Sequence, residues 1–368
     1  MVYLDDRYDR IPSGCSVFGV INVNRVRFDW RPAVTGIASM HERSNGLGGG
    51  FAVYGLYPEY KETMCLHIMY DDKASREETE DYLRDMCRII YEGKLPVRRT
   101  VSIFNGPEIK RYFVEPIHDI LVSSEEEYFR CLTMEINRSI NGAFVLSCGK
   151  DMGIFKGVGY PEDIAEYFRL DEYKGYIWTA HGRFPTNTPG WWGGAHPFGI
   201  LDVSVVHNGE LSSYGANRKF LRGYGYKCVL QTDTEVIAYL YDLLVKKHRL
   251  PEEIAMKVMS PPLWDEIERM DEQERVLYTS LRVIYARAAL NGPFSVIIAT
   301  TKGMAVLCDR LKLRPMVTAK DGEYFIASSE ESAIAASGFS TANCYMPRGG
   351  EPVFVPLNEE YVEESVAV

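Results

Sequence analysis

The sequence lacks the closely paired cysteines on which most zinc and iron–sulfur sites are built. It has eight cysteines in 368 residues, and no two of them are separated by only two positions. Neither kind of metal site is therefore predicted, and scattered thiols favour a reducing, cytoplasmic compartment. The cysteines are Cys15, Cys65, Cys87, Cys131, Cys148, Cys228, Cys308 and Cys344.

Basic charge is also scarce. The chain has 41 lysines and arginines against 51 acidic residues, and its formal net charge is -10 at pH 7. Surfaces that bind nucleic acid or anionic membranes usually need a basic footprint. Small molecules or other proteins are therefore the expected partners.

Membrane and targeting segments are missing from the sequence. No apolar run reaches the ~20 residues needed to span a bilayer, and residues 1–14 carry charges where a signal peptide has its apolar core. No internal repeat, low-complexity tract or long Pro/Ser linker divides the chain. We predict one α+β domain with strand-rich ends and an inserted middle, residues 58–174, to which no role is assigned.

Apolar patterning predicts strands toward both ends of the chain. Near the start, CSVFGVIN (15–22) and FAVYGLY (51–57) flank a Gly-rich turn. Near the end, four short strands are expected to pair as one antiparallel sheet; they are NGPFSVIIAT, GMAVLCDR, LRPMVTAK and EYFIASS.

Capping boxes mark two helices of the middle. Ser75 and Ser124 each stand three residues before a glutamate, which predicts helices over 75–93 and 124–140. A longer helical stretch with room for one break is predicted over 263–290. The strand-like segments of the middle are MCLHIMY, TVSIF, RYFVEPI and GAFVLSCG.

Two stretches could hold the charged ends of a small ligand. Arg183 in HGRFPTNTPG could grip a carboxylate through its two-pronged guanidinium, or it could be a solvated loop arginine. In TDTE (232–235), Thr232 and Glu235 form a capping box, and the helix dipole favours Asp233 in the first turn. The same Asp233 could instead hold an ammonium group.

Two further stretches could carry the reaction itself. In HNGE (207–210), Asn208 and Gly209 are typical of a hairpin turn, but their amide groups could also be two donors aimed at an oxyanion. Cys15 could be a small core residue or a nucleophile. If the Gly14–Cys15 bond is cleaved, Cys15 gains an α-amino group of pKa ~7.7–8.0, suited to a general base.

Together these stretches resemble the class II glutamine amidotransferases, which are N-terminal nucleophile hydrolases. The closest likeness is to the amidotransferase domain of glutamate synthase, particularly the archaeal type in which it is a separate subunit. The matching segments occur in order across nearly the whole chain. They are CSVFGVI, MHERS, RFPTNT, AHPF, HNGE, QTDTEV and LNGPFSVIIAT through CDRLKLRP.

The resemblance implies a four-layer α/β/β/α sandwich of two mainly antiparallel sheets. It also implies that residues 1–14 are a propeptide and 15–368 the amidotransferase domain. Cys15 would then attack the side-chain amide of glutamine, form a glutamyl thioester and release ammonia. Asn208 and Gly209 would form the oxyanion hole.

The remaining site residues follow from the same resemblance. Arg183 would bind the α-carboxylate of glutamine and Asp233 its α-ammonium. Arg43 matches an arginine near the nucleophile, although the segment reads HERS, without the glycine that usually follows this arginine in the family. Thr186 and His207 match positions that line the pocket.

No cofactor is expected in this chain, and a partner is implied. The chain contains no segment that resembles a synthase domain, so ammonia would pass to a separate synthase subunit carrying FMN and iron–sulfur clusters. The complex could instead be of the N-methylglutamate synthase type. The chain could also be an unprocessed, non-catalytic subunit that binds glutamine or acts as a scaffold, or a cysteine hydrolase that acts on a different amide.

Overall fold

The computed structural model describes residues 14–117, 124–184 and 190–358. The predicted propeptide therefore lies outside the described residues except for Gly14. The strands are β1 Ser16–Asn22, β2 Phe28–Asp29, β3 Gly49–Tyr54, β4 Met64–Tyr70, β5 Cys87–Lys94, β6 Glu108–Pro116, β7 Ala143–Lys150, β8 Met152–Gly157, β9 Lys174–Gly175, β10 Ile177–Gly182, β11 Phe198–Ile200, β12 Val203–Gly209, β13 Phe294–Thr300, β14 Gly303–Cys308, β15 Val317–Asp321, β16 Tyr324–Ser328 and β17 Val353–Pro356.

The α-helices of the described residues alternate with these strands. They are α1 Arg31–Ala38, α2 Lys73–Met86, α3 Glu125–Ser139, α4 Pro161–Tyr167, α5 Tyr214–Gly223, α6 Asp233–Asp242, α7 Glu252–Met259, α8 Trp264–Glu268, α9 Glu272–Ile284 and α10 Glu331–Ala336. In this part of the chain, no helix is long and apolar enough to cross a membrane.

Two antiparallel sheets pack face to face at the centre of the molecule. One has the strand order β15-β16-β1-β10-β3-β8 and the other β11-β12-β13-β14-β17. Val17 and Ile21 of the first sheet meet Val206 and Ile297 of the second in an apolar layer from which water is excluded. Apart from the edge strands β15 and β17, the strands of both sheets are almost fully buried on both faces, which explains why they read as nearly continuous apolar runs.

Helices cover the two outer faces. α1, α4 and α10 pack on the outer face of the larger sheet, where Ile37 and Ile164 contribute to the core. α5, α6 and α7 contribute Leu221, Ile237 and Met256 to the core on the far side of the smaller sheet. The four-layer α/β/β/α sandwich is thus confirmed.

The middle of the chain builds a further sheet, with strand order β5-β6-β4-β7 and helices α2 and α3 beside it. The helix predicted over 75–93 is wrong at both ends. α2 begins at Lys73 with Asp72, not Ser75, as its N-cap, and it ends at Met86, after which CRIIYEGK forms β5. β-branched Ile89 and Ile90 followed by Tyr91 fit a pleated strand better than a helix. TVSIF, predicted as a strand, is irregular.

Other local predictions are confirmed or corrected by the structure. The side chain of Ser124 caps α3, and the predicted break separates α8 from α9. The four strands near the end of the chain do not form one sheet: β13 and β14 lie in the smaller sheet and β15 and β16 in the larger. Most residues of all four strands are buried, so their apolar patterns do not show which of the two sheets each strand joins.

Strand register gathers the candidate residues at one edge of the sandwich. β1 and β10 are antiparallel with Ser16 opposite Gly182, so the residue before β1 meets the residues after β10. The end of β16 lies beside the start of β1, with Ser328 opposite Phe18. The end of β12 is joined to this edge by a hydrogen bond from Asn208 to Ser329.

Candidate active site

Cys15 stands immediately before β1, where antiparallel pairing brings it to the chain leaving β10. The backbone N–H of Phe184 donates to the Cys15 sulfur at 3.3 Å, and the thiol lies 3.8 Å from the Phe184 carbonyl oxygen. Burial raises the pKa of the Cys15 thiol, while the Phe184 N–H and the positive charge of Arg183 oppose that rise. In the uncleaved chain the thiol is therefore predominantly protonated at neutral pH.

Arg43 holds the backbone of Cys15. Its Nε and Nη2 donate to the Cys15 carbonyl oxygen at 3.3 and 3.2 Å, and its Nη1 donates to Glu330 at 2.9 Å. Although the HERS segment departs from the usual family pattern, the structure brings Arg43 to Cys15. The contact fixes the peptide group that follows Cys15.

Arg183 is buried, with 3% of its surface exposed, so the solvated-loop alternative is wrong. The backbone N–H of Arg183 donates to the Gly48 carbonyl at 2.9 Å, and its backbone carbonyl accepts a hydrogen bond from Ser44 Oγ at 3.1 Å. Burial lowers the pKa of Arg183, and the charges of Cys15 and Asp233 oppose that effect. The charge of Arg183 in turn lowers the pKa of the Cys15 thiol, and the charge of Asp233 raises it.

Asn208 and Gly209 end β12 inside a strand ladder, opposite Ser295 and Phe294. The hairpin-turn alternative is therefore wrong. Gly209 has φ 147°, and a Cβ there would lie 2.0 Å from the Pro293 carbonyl oxygen. The Asn208 side chain donates to Ser329 Oγ at 3.4 Å, while its Oδ1 is buried without a hydrogen-bond partner among the described residues.

Asp233 is the first residue of α6, and Thr232 caps the helix through the Glu235 N–H, as predicted. Although burial opposes ionisation, His207 and the Leu211 and Thr234 N–H groups hold the pKa of Asp233 below its usual range. His207 Nδ1 lies 3.6 Å from Asp233 Oδ1. Asp233 is therefore an anion set beside the thiol.

Two buried histidines, His181 and His196, lie next to these residues, and the sequence predictions gave them no role. The rings of His181 and His196 stack at 4.0 Å, and burial lowers the pKa of His181 to about 3. His181 Nε2 contacts the His207 carbonyl oxygen at 2.9 Å, and His196 Nε2 contacts Thr234 Oγ1. These neutral rings support β12 and the start of α6.

The structure therefore brings five predicted residues to one place: Cys15, Arg43, Arg183, Asn208 and Asp233. Gly209 and His207 adjoin them, whereas Thr186 lies outside the described residues. Within those residues, no group of three histidine, cysteine or acidic side chains is placed to hold a metal ion.

Ser329 and Glu330 were missed at the sequence level, although both contact the group. They follow β16, an apolar strand whose sequence has the same pattern as the other buried strands. The local sequence therefore does not mark the two residues as part of a site. Only the pairing of β16 with β1 brings them to Cys15.

Sequence comparisons relate this chain to known proteins. The sequence profile of the family described as glutamine amidotransferases class-II matches residues 100–229, which include Arg183, Asn208 and Gly209. An uncharacterized protein of Archaeoglobus fulgidus is 49% identical over 96% of this chain and 95% of its own length. A Methanothermobacter thermautotrophicus protein, named provisionally as a glutamine amidotransferase, is 27% identical over 77% of this chain and 81% of its own length.

One partial match is to a much larger enzyme. The glutamate synthase [NADPH] large chain of Bacillus subtilis is 26% identical over 49% of this chain, and the match covers 13% of that enzyme. Residues 100–229 thus match the class II glutamine amidotransferase family, and a relative that aligns with most of the chain carries the name of a glutamine amidotransferase.

Proposed function

We propose that this chain is the glutaminase subunit of a glutamate synthase-like complex. The observation that carries the proposal is that the chain next to Arg183 contacts Cys15, through the Phe184 N–H at 3.3 Å from the sulfur. The charges of Arg183 and Asp233 also influence the pKa of the Cys15 thiol, in opposite directions. An amino acid with its carboxylate on Arg183 and its ammonium on Asp233 would be held at two ends. Its side-chain amide would then be directed at the sulfur, which makes glutamine the preferred substrate.

The reaction proceeds through a covalent intermediate. The sulfur of Cys15 attacks the δ-carbon of glutamine, and the resulting oxyanion is held by the Asn208 amide and the Gly209 N–H. During the attack the α-amine of Cys15 takes the proton of the thiol and becomes an α-ammonium. Collapse of the tetrahedral intermediate returns this proton to the departing amide nitrogen, which leaves as neutral ammonia. Water then attacks the thioester, releasing glutamate and restoring the thiol.

Cleavage of the Gly14–Cys15 bond activates the site. While Gly14 is attached, the nitrogen of Cys15 is a peptide nitrogen and cannot accept a proton, and burial raises the pKa of the thiol. Cleavage supplies an amine of pKa ~7.7–8.0 next to that thiol. The propeptide, residues 1–14, thus keeps the nucleophile inactive until it is removed.

The ammonia is passed to a separate synthase subunit. Free ammonia is protonated in neutral water and lost to addition chemistry, so a sealed path into a partner is required. The partial match to the glutamate synthase [NADPH] large chain supports a synthase partner. In the proposed complex that partner carries FMN and iron–sulfur clusters and aminates 2-oxoglutarate. All eight cysteines are unpaired, which supports a reducing, cytoplasmic location.

The test starts from the native complex, purified through a tag placed at the end of this chain. Intact mass should show loss of residues 1–14, and glutamine should be converted to glutamate and ammonia. A diazoketone analogue of glutamine should label Cys15, and Cys15→Ser should abolish both turnover and labelling. Cys344→Ser is the matched control because it removes another partly buried thiol.

Two results would contradict the proposal. A complex that carries the full leader and binds glutamine without hydrolysing it would support the scaffold role. Equal turnover of glutamine, asparagine and simple amides would contradict the two-ended anchoring of an α-amino acid. Addition of methylamine and glutamate, in place of 2-oxoglutarate, tests for an N-methylglutamate synthase-type complex.

A further inference from the structure

Ser329, the first residue after β16, forms three hydrogen bonds at the candidate active site. Its hydroxyl oxygen accepts the Val17 N–H at 3.1 Å and the Asn208 Nδ2–H at 3.4 Å. Its own N–H donates to the Val17 carbonyl at 3.0 Å. With 2% of its surface exposed, this serine is shielded from competing water.

We propose that Ser329 is a positioning residue that aligns the oxyanion-binding amide with the nucleophile, an inference that rests on the proposed function. The Asn208 amide is planar, and its two N–H bonds point about 120° apart. When Ser329 takes one of them, the plane and the direction of the second N–H are fixed. That second N–H is the one free to donate to the oxyanion.

Ser329 connects the Asn208 amide to β1, the strand that Cys15 precedes. Asn208 lies in the smaller sheet and Cys15 at the start of the larger one, so no shared ladder sets their distance. Ser329 bonds Val17 on both its N–H and its C=O, two residues from Cys15. One side chain thus links the oxyanion donor to the nucleophile strand across the two sheets.

The neighbouring residue reinforces the same link. Glu330 binds Arg43 at 2.9 Å, and Arg43 in turn holds the Cys15 carbonyl oxygen. Of these two consecutive residues, Ser329 therefore holds the Asn208 amide, and Glu330 holds the Cys15 peptide through Arg43. Misplacement of a reacting group by ~1 Å can cost about 10²-fold in rate, so such links affect turnover more than binding.

The test compares Ser329→Ala with wild type in the processed, partner-bound protein, in which glutamine hydrolysis is measured. We expect kcat to fall about 10- to 100-fold with KM changed less than about twofold, because the oxyanion exists only after attack. Ser329→Thr keeps the hydroxyl and should recover most of the loss. Ser147→Ala is the matched control, since this buried serine of β7 also accepts a backbone N–H, that of Ile154, but lies in the further sheet.

A double-variant cycle separates positioning from a general structural role. If Ser329 acts through Asn208, then Ser329→Ala should have little further effect on kcat in an Asn208→Ala background. An equal additional loss in that background would overturn the proposal, as would an unchanged kcat or a change confined to KM. If Ser329→Ala does not fold, the same cycle is run with Ser329→Cys, which keeps the volume but accepts hydrogen bonds weakly.

The outcomes also separate this inference from the proposed function. A wild-type complex without glutamine hydrolysis contradicts the proposed function itself. An active wild type whose Ser329→Ala variant is equally active contradicts only the positioning role.

Discussion

The backbone N–H of Phe184 donates to the sulfur of Cys15 at 3.3 Å, joining the start of one strand to the end of its antiparallel neighbour. This contact stabilises a thiolate, but burial outweighs it and the pKa of Cys15 remains raised. The site is therefore built for a thiolate that the uncleaved chain does not readily form.

Alkylation of Cys15 should depend on the state of its nitrogen. In the uncleaved chain burial raises the pKa of the thiol, so reaction with iodoacetamide should still be increasing above the usual thiol pKa of about 8.5. In the processed chain the adjacent amine should shift the midpoint toward ~8. Peptide mapping by mass spectrometry separates Cys15 from exposed Cys131, and identical pH profiles for both forms would contradict the proposed base.

Arg183 and Asn208 should differ in the kinetic parameter that they control. Arg183→Ala removes a charged anchor for the substrate and should raise KM for glutamine about 10- to 100-fold, corresponding to about 1.5–3 kcal/mol. Asn208→Ala should lower kcat about 10²- to 10³-fold with less change in KM. Steady-state kinetics on both variants measures the split, and equal behaviour would refute the assigned roles.

Gly209→Ala should damage both folding and activity. The added Cβ would lie 2.0 Å from the Pro293 carbonyl oxygen at a φ of 147°, so β12 or β13 must shift. We expect a loss of about 1–3 kcal/mol in unfolding free energy, measured by urea titration, together with loss of glutaminase activity. Gly215→Ala is the control, because it lies in α5 with nothing within 4 Å of the added atom; a similar loss there would contradict the explanation.

Lys156 should make the free energy of unfolding depend on pH above about pH 7. Its ammonium is buried beside the Phe198 ring and donates to the Gly193 carbonyl, and burial lowers the pKa of Lys156 to about 7. The unfolded chain, with a lysine pKa of about 10.4, binds more protons than the folded one between these values, so stability rises with pH there.

Substitution of Lys156 by methionine should remove that rise. Relative to the variant, wild type should gain up to about 1.4 kcal/mol between pH ~8 and ~9, measured by urea titration at each pH. Below about pH 7 the difference between the two proteins should stop changing with pH. Parallel curves throughout would mean that Lys156 titrates normally in the folded protein.

Local chemistry accounts for the elements that could be predicted. The side chain of Ser124 and that of Thr232 cap their helices because each presents an acceptor to an unpaired N–H of the first turn. The error at β5 shows the limit of such reasoning, since the apolar residues of CRIIYEGK fit either period. Pairing with β6 decided the outcome, and that partner begins 14 residues after β5 ends at Lys94.

By itself, the sequence determined the residue types and their order: a cysteine at the start of a strand, an arginine after another, an Asn-Gly pair and an aspartate in a capping box. Those features depend on local conformational preferences and on chemistry that each side chain carries with it. Only the tertiary structure decided that these groups meet, because the contacts that gather them join residues far apart in sequence, 169 positions for Cys15 and Phe184 and 121 for Asn208 and Ser329. Burial, which raises the pKa of the Cys15 thiol and lowers that of Lys156, is likewise a property of the packed sandwich and not of any segment alone.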